Sequence, residues 1–90
     1  MSAVTIRYLG NFILITGKKQ EEMVINEDES VSSLMVELRK KYGNKRFDSS
    51  MTMVWVNKIL CQRHAVLHQG DELTLHHKDE LIIGTLVGGG

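Results

Sequence analysis

The 90-residue sequence predicts a single α+β domain in which a mixed sheet of four to five strands carries one main helix on one face. Two observations indicate this class. One stretch has the spacing of an amphipathic helix, and segments on both sides of it alternate between apolar and polar residues, as strands do. Because the helix lies between the second and third predicted strands, it can act as a crossover. The first and last strands are then left to pair in the centre of the sheet.

Two strands are predicted before the helix. Residues 3–9 alternate in the manner of a half-buried strand, and residues 21–26 form a second strand antiparallel to it. One face of the first strand consists of Val4, Ile6 and Tyr8. Between the two strands, the run from Phe12 to Ile15 is apolar on both faces. We expect it to be either an extension of the strand or a packed loop, and its side chains to be either core or a patch for a partner.

The helix is predicted from the residue after Ser30 to the residue before Gly43. Its apolar positions recur at intervals of three and four: Val31, Leu34, Met35, Leu38 and Tyr42. The sequence Asp28-Glu29-Ser30 supplies an acidic start and a capping residue, and residues 39–41 place cations in the last turn, where they interact favourably with the helix dipole. Gly43 is suited to end the helix in the left-handed conformation.

The C-terminal half is predicted to supply the remaining strands. Residues 45–50 form a polar connection, and residues 51–57 form a third strand in which Val54 and Val56 oppose Met53 and Trp55. Residues 65–67 and 73–75 indicate one or two short strands, and residues 80–83 a last strand. This order of elements is that of the ubiquitin-like β-grasp fold. Because this fold serves many functions, the function has to be argued from a site.

Composition argues against several classes of protein. The 11 basic and 11 acidic residues cancel, so no basic field favours direct binding of nucleic acid. Cys61 is the single cysteine, which rules out an intramolecular disulfide and fits a reducing compartment. No apolar stretch approaches the length of a membrane span, and the first ten residues lack the pattern of a signal peptide. We therefore expect a cytoplasmic protein without a membrane segment.

Histidine and cysteine chemistry is not expected. His76 and His77 are adjacent, and on a strand they would point to opposite faces, so with His64 and His68 they make no convincing metal site. Cys61 has no recognisable third group to orient a thiol nucleophile. We interpret it as a buried or half-buried small residue.

The C-terminal sequence Thr85-Leu86-Val87-Gly88-Gly89-Gly90 is the strongest candidate site. Three glycines pack no side chain and lose much backbone entropy on ordering. Either these glycines form a flexible end without a function, or the Gly90 carboxylate is the functional group of the protein. A carboxylate becomes reactive once ATP converts it to an acyl-adenylate, and a tail without side chains can pass through a narrow channel to reach ATP in a partner enzyme. We expect a β-grasp domain in residues 1–87 and a flexible tail in residues 88–90.

Along nearly its whole length the chain resembles the MoaD/ThiS sulfur-carrier family of β-grasp proteins. The matching segments are IRYLGNFILITGKKQEEMVI, SVSSLMVELRKKYG, MVWVN and KDELIIGTLVGGG. The resemblance implies that Gly90 is adenylated by a ubiquitin-activating-enzyme-like adenylyltransferase that uses ATP, is converted to a thiocarboxylate, and enters a sulfur-accepting synthase subunit. Gly88 and Gly89 carry over as the flexible tail. The chain itself is then no enzyme and binds no cofactor or metal.

Two features of the resemblance bear on the pathway. The TGKK segment is closer to the small subunit of molybdopterin synthase than to the shorter thiamine-pathway carriers, which favours molybdopterin cofactor biosynthesis. Molybdopterin-type carriers, however, commonly have two prolines shortly before the glycines, where this chain has Gly84-Thr85-Leu86. The alternatives therefore remain a carrier for thiamine biosynthesis or tRNA thiolation, a ubiquitin-like protein modifier, or a β-grasp interaction module.

Overall fold

The computed structural model describes residues 2–49, 51–63 and 74–85. Within these ranges the strands are β1 (Ser2–Tyr8), β2 (Gln20–Ile25), β3 (Thr52–Val56), β4 (Ile59–Arg63) and β5 (Glu80–Thr85). The helices are α1 (Asn11–Thr16), α2 (Val31–Tyr42) and a 3-10 helix (Lys45–Asp48). The strands form one mixed sheet in the order β2-β1-β5-β3-β4. The predicted class, a ubiquitin-like β-grasp, is confirmed.

The centre of the sheet is the predicted pair of first and last strands. β1 and β5 run parallel, with Tyr8 beside Ile83, and β3 flanks β5 on its other side in antiparallel register, with Val54 beside Ile83. β2 pairs antiparallel with β1, as predicted. The crossover through α2 is what allows the first and last strands to lie side by side.

One face of the sheet packs against α2 and forms the core. The predicted inward residues of β1 are all buried, with Val4 and Tyr8 1% exposed and Ile6 fully covered. The helix contributes Val31, Leu34, Met35 and Leu38. Both predicted ends of α2 are confirmed. The Ser30 side chain accepts a hydrogen bond of 3.0 Å from the Ser33 amide, and Gly43 has the left-handed φ of 60°.

The apolar run from Phe12 to Ile15 is neither of the two predicted alternatives, because it lies in the six-residue helix α1. Gly10 precedes this helix and Gly17 ends it, with positive φ of 57° and 75°. Glycine adopts such a conformation at little cost, so the chain can change direction sharply at both ends of the helix. Four consecutive apolar residues fit one helical turn as well as a short strand, and the sequence pattern cannot separate them. Phe12 belongs to the core, as one of the two predicted roles has it, and Leu14 is 80% exposed. A role of this run in binding a partner stays a prediction.

The predicted polar connection at residues 45–50 contains a core residue. Phe47, in the 3-10 helix, is fully buried. The centroid of its ring lies 5.0 Å from that of the Phe12 ring and 5.9 Å from that of the Tyr42 ring. A single aromatic residue among polar neighbours has no periodicity, so the alternation that identifies strands and helices could not place it.

Strand β4 follows β3 directly and was not predicted. The turn between them is formed by Asn57 and Lys58, which both have positive φ, 50° and 73°. Such a two-residue hairpin turn normally has glycine at its second position. Because Lys58 occupies that position, the sequence lacks the usual signal for a hairpin. Of the two short strands predicted here, residues 65–67 and Leu73 lie outside the described residues. Thr74 forms an isolated antiparallel bridge with Ser30.

Two further expectations concern the ends of the domain and membranes. Residues 86–90 lie outside the described residues, so the boundary at residue 87 stays a prediction. In the described ranges, no helix is long and apolar enough to cross a membrane.

Candidate functional site at the exit of the C-terminal tail

The glycine tail (Gly88, Gly89 and Gly90) continues from β5, the central strand. The three glycines are outside the described residues, and the last residue described is Thr85 at the end of β5. This strand is held on the β1 side up to Ile83 and on the β3 side up to Thr85. The Leu9 amide donates a hydrogen bond of 2.9 Å to the Ile83 carbonyl, and Thr85 pairs with Thr52 of β3. The tail therefore starts from the most constrained strand of the sheet.

Gly84 is buried just before the tail leaves the sheet. A Cβ atom at this position would lie 3.3 Å from the Leu9 Cβ and 3.7 Å from Cζ3 of the Trp55 ring. The sequence comparison singled out Gly84 as a departure from the prolines of some relatives. The structure gives it a packing role, because the absence of a side chain lets Leu9 and Trp55 cover the strand on the face opposite α2.

Apolar side chains continue from this point along the helix-free face of the sheet. Trp55 of β3 lies beside Ile82 of β5 on one side and beside Leu60 of β4 on the other. Leu9 and Leu60 are 45% and 46% exposed. We call Leu9, Trp55, Leu60 and Ile82 the apolar strip. A contiguous exposed apolar surface beside a chain terminus is typical of a protein-docking surface.

The apolar strip was not predicted, although one signal for it is present in the sequence. Residues 53 and 55 were recognised as the face of the third strand opposite Val54 and Val56, and both are apolar. An antiparallel strand with one face in water is expected to carry polar residues on that face. Apolar residues on both faces therefore indicate that the second face is also covered at some stage.

A second cluster joins β1, β2 and the end of α2 through one carboxylate. The side chain of Glu21 is 8% exposed. Its Oε2 atom accepts hydrogen bonds of 2.5 Å from both the Tyr8 and the Tyr42 hydroxyl groups, and its Oε1 atom accepts one of 2.8 Å from Lys41 Nζ. Lys18 Nζ lies 3.5 Å from the same Oε1 atom. This carboxylate fixes the C-terminal end of α2 on the sheet.

The charges of this cluster follow from those contacts. Burial by itself would raise the pKa of Glu21, but the hydrogen bonds from Lys41, Tyr42 and Tyr8 outweigh it and lower the pKa to about 2. Burial, and then the hydrogen bond to the Glu21 carboxylate, raise the pKa of Tyr8, and the hydrogen bond to Glu21 raises that of Lys41. Glu21 is therefore ionised at neutral pH, and Tyr8 and Lys41 are protonated.

Sequence reasoning missed this cluster. Glu21 was placed at the start of the second strand, where the alternation puts it on the same face as Met23 and Ile25. An acidic residue on an inward face needs donors around it, because an unpaired buried charge is costly. That pattern was the available signal, but the two hydroxyl donors come from distant parts of the chain.

The histidine and cysteine candidates do not come together. His76 and His77 lie in a loop and a turn before β5 and not on a strand. The expectation that they point to opposite faces of a strand was therefore wrong. His77 Nδ1 accepts a hydrogen bond of 3.1 Å from the Ala3 amide. The described ranges contain no group of three or more side chains that could hold a metal ion. His64, His68 and the side chain of Cys61 lie outside the described residues, so the predicted burial of Cys61 stays a prediction.

The fold and the exit of its last strand define a class: a ubiquitin-like β-grasp domain that carries its C-terminus on the central strand. The chain belongs to the ThiS family, whose model matches residues 6–90. Members of this MoaD/ThiS group are small carrier proteins and not enzymes themselves, and they work with activating enzymes and synthase partners. No curated protein sequence matches the chain significantly.

Solved structures share the fold at low sequence identity. A chain from Pyrococcus furiosus, named as subunit 1 of a molybdopterin converting factor, aligns with a TM-score of 0.73 and 18% identity, over 97% of this chain and 100% of that one. Small archaeal modifier protein 1 from Methanosarcina acetivorans aligns with a TM-score of 0.74 and 20% identity, over 100% and 98%. Its counterpart from Haloferax volcanii aligns with a TM-score of 0.74 and 10% identity, over 97% and 100%.

Proposed function

We propose that this protein is a sulfur carrier and that the carboxylate of Gly90 is its transferred-group site. The observation that carries the proposal is the match of the ThiS family model through residue 90. The geometry of β5 supports it. A strand held by β1 up to Ile83 and by β3 up to Thr85 gives the following residues a fixed origin, and glycines without side chains can enter a narrow active site of a partner.

The chemistry requires a partner enzyme and ATP. A Gly90 carboxylate oxygen attacks the α-phosphorus of ATP, the bond to the leaving pyrophosphate breaks, and an acyl-adenylate forms. A hydrosulfide ion then attacks the carbonyl carbon, the C–O bond to AMP breaks, and the tail ends in a thiocarboxylate. The carrier binds no cofactor in this scheme, since ATP is held by the ubiquitin-activating-enzyme-like adenylyltransferase. The proposal places these steps in the cytoplasm.

For the acceptor, we propose the synthase subunit that forms molybdopterin. The TGKK segment at residues 16–19 supports this assignment. In the structure, Gly17 ends α1 and Lys18 approaches Glu21, so the segment is an integral part of the connection between β1 and β2. The likeness to the Pyrococcus furiosus chain named as a molybdopterin converting factor subunit agrees with it.

A second candidate function is that of a protein modifier, and the likeness to the two small archaeal modifier proteins favours it. The two functions share the acyl-adenylate and differ in what attacks it. A lysine amine of a target protein displaces AMP and forms an isopeptide bond, whereas a sulfur nucleophile forms the thiocarboxylate.

An intact-mass experiment separates the two candidates. The full chain is incubated with ATP, sodium sulfide and the adenylyltransferase encoded in the same genome. The sulfur carrier gains the mass difference between sulfur and oxygen, and a variant that lacks Gly90 gains nothing. Adducts with target proteins that survive denaturation indicate the modifier instead. If the chain with Gly90 shows neither product, both proposals fail, and a wild-type phenotype after deletion of Gly89 and Gly90 leaves only an interaction module.

A further inference from the structure

The charged residues of this formally neutral chain are separated in space. We use the name tail end for the end of the sheet at which β1 and β5 finish. It gathers the cations Arg7, Lys18, Lys19, Arg39, Lys40, Lys41, Lys45 and Arg46, and two acidic residues, Glu21 and Asp48, lie among them. The opposite end gathers Glu27, Asp28, Glu29, Asp79 and Glu80, together with Lys58 and Lys78.

Two contacts place most of these cations at the tail end. Arg7 pairs with Gln20, so the loop that contains Lys18 and Lys19 lies there. Lys41 reaches Glu21 beside the end of β1, which brings the last turn of α2 to the same place. An excess of cations next to the tail would attract an acidic partner surface and speed association.

A groove of about 400 Å³ lies within this basic region, on the side of the sheet that carries α2. Its lining residues are Val36, Arg39, Lys40, Gly43, Asn44 and Lys45. Val36 is 42% exposed in the groove, and no atom lies within 4 Å of the place where a Cβ of Gly43 would be. The groove therefore combines an apolar floor with a cationic rim.

The groove is connected to the base of the tail by a short chain of contacts. The Asn44 side chain accepts a hydrogen bond of 2.8 Å from the Arg46 amide, and the Arg46 carbonyl accepts one from the Thr52 hydroxyl. Thr52 in turn pairs with Thr85, the last described residue of β5. A protein that takes up the tail comes close to this groove as well.

We propose that the groove binds an acidic segment of the enzyme that activates the tail. An apolar side chain of that segment rests on Val36, and its carboxylates bind Lys40 and Lys45. Charge complementarity carries the argument. Lys18 and Lys41 of the tail end are paired with Glu21, whereas Lys40 and Lys45 have no carboxylate partner in the described part of the chain. The inference rests on the proposed function only for the identity of the partner.

The apolar floor favours a peptide over a nucleic acid. A phosphate backbone is bound by cations and hydrogen-bond donors, and it gains nothing from an exposed valine. An acidic peptide with one apolar residue uses both features of the groove.

Peptide binding tests the groove without any tail chemistry. The isotope-labelled full chain is titrated with a synthetic peptide of four acidic residues around a central leucine, and amide shifts are followed by NMR. We expect shifts centred on Val36, Gly43 and Asn44, and weaker binding at high salt. The variant K40E/K45E should bind at least about tenfold more weakly. The matched variant K58E/K78E, at the opposite end, should bind as the wild type does.

Three results in this titration would overturn the inference. They are shifts that avoid the groove, equal losses in the two charge-reversed variants, and preferential binding of a single-stranded oligonucleotide of equal charge. A peptide with serine in place of leucine should bind more weakly. If it binds equally well, Val36 has no part in recognition.

The activating enzyme supplies the second test. In carrier-dependent exchange of pyrophosphate into ATP, K40E/K45E should raise the KM for the carrier by about tenfold with little change in kcat, and K58E/K78E should change neither. An unchanged KM in K40E/K45E contradicts the inference while leaving the proposed function intact. If the enzyme does not adenylate the wild-type chain, the proposed function fails, and the titration still decides whether the groove binds an acidic segment.

Discussion

The side chain of Leu9 lies directly over Gly84, and a Cβ at position 84 would be 3.3 Å from the Leu9 Cβ. Leu9 follows β1 and Gly84 is the fifth residue of β5, so this contact joins the two central strands at the point where the tail leaves the sheet. It also places a covered glycine next to an exposed apolar strip. The contact gives the first prediction.

Replacement of Gly84 by valine should destabilise the fold. The added isopropyl group has to displace Leu9 and the Trp55 ring, and overpacking of this kind costs about 1–3 kcal/mol. Urea unfolding of G84V measures the loss. The second substitution Leu9→Ala opens space for the valine, so a double-mutant cycle should show a favourable coupling between positions 9 and 84. Leu14→Ala, at a leucine that is 80% exposed, should show no coupling. Additive effects in the L9A/G84V cycle would contradict the assigned contact.

Glu21 is expected to matter more for stability than its acidic neighbour. In the variant Glu21→Gln, Lys41 loses a charged acceptor, and the Tyr8 and Tyr42 hydroxyl groups share a weaker one. Hydrogen bonds to charged groups contribute about 1.5–3 kcal/mol each, and those to neutral groups about 0.5–1.5 kcal/mol. Because the isosteric glutamine keeps a neutral acceptor in place, the total loss of stability is expected to be on the order of 1–3 kcal/mol. Glu22→Gln, at the exposed next position, should change the free energy of unfolding by less than about 0.5 kcal/mol. Equal effects of the two variants would show that the cluster is not stabilising.

The same carboxylate should make stability depend on pH in the acidic range. The pKa of Glu21 is about 2 in the folded protein, against an ordinary value of 4.5. Because folding lowers this pKa, the unfolded state binds more protons between the two values, and stability falls as the pH falls. The contribution of Glu21 is fully present above pH 4.5 and is lost as the pH approaches 2. Urea unfolding at a series of pH values should show a flatter profile for E21Q in this window, and parallel profiles would argue against the shift.

Lys58 is expected to be a poor residue for its place in the β3–β4 turn. Its φ of 73° lies in the left-handed region, where a side chain costs about 1–2 kcal/mol and glycine costs little. Lys58→Gly should raise the free energy of unfolding by about 0.5–1 kcal/mol, after the added entropy of the unfolded glycine is subtracted. Lys58→Ala removes the same charge but keeps a Cβ, so it should give no gain. A gain in both variants would point to the charge of Lys58 rather than to its backbone conformation.

The sequence by itself determined the elements whose signals are local and periodic. Alternation fixed the inward face of β1, and the spacing of apolar residues between Ser30 and Gly43 fixed α2 with both of its ends. The order of these elements then determined the topology, because a helical crossover brings the first and last strands together. The proposed role of the tail likewise rests on the terminal glycines and their family context.

Only the tertiary structure decided the features that depend on contacts between distant residues. The burial of Phe47 depends on Phe12, the charge of Glu21 depends on donors from β1 and α2, and the covered position of Gly84 depends on Leu9 and Trp55. None of these residues belongs to a periodic pattern that specifies its environment. A side chain's surroundings are set by packing between elements, and so the apolar strip, the carboxylate cluster and the basic groove became visible only in the folded chain.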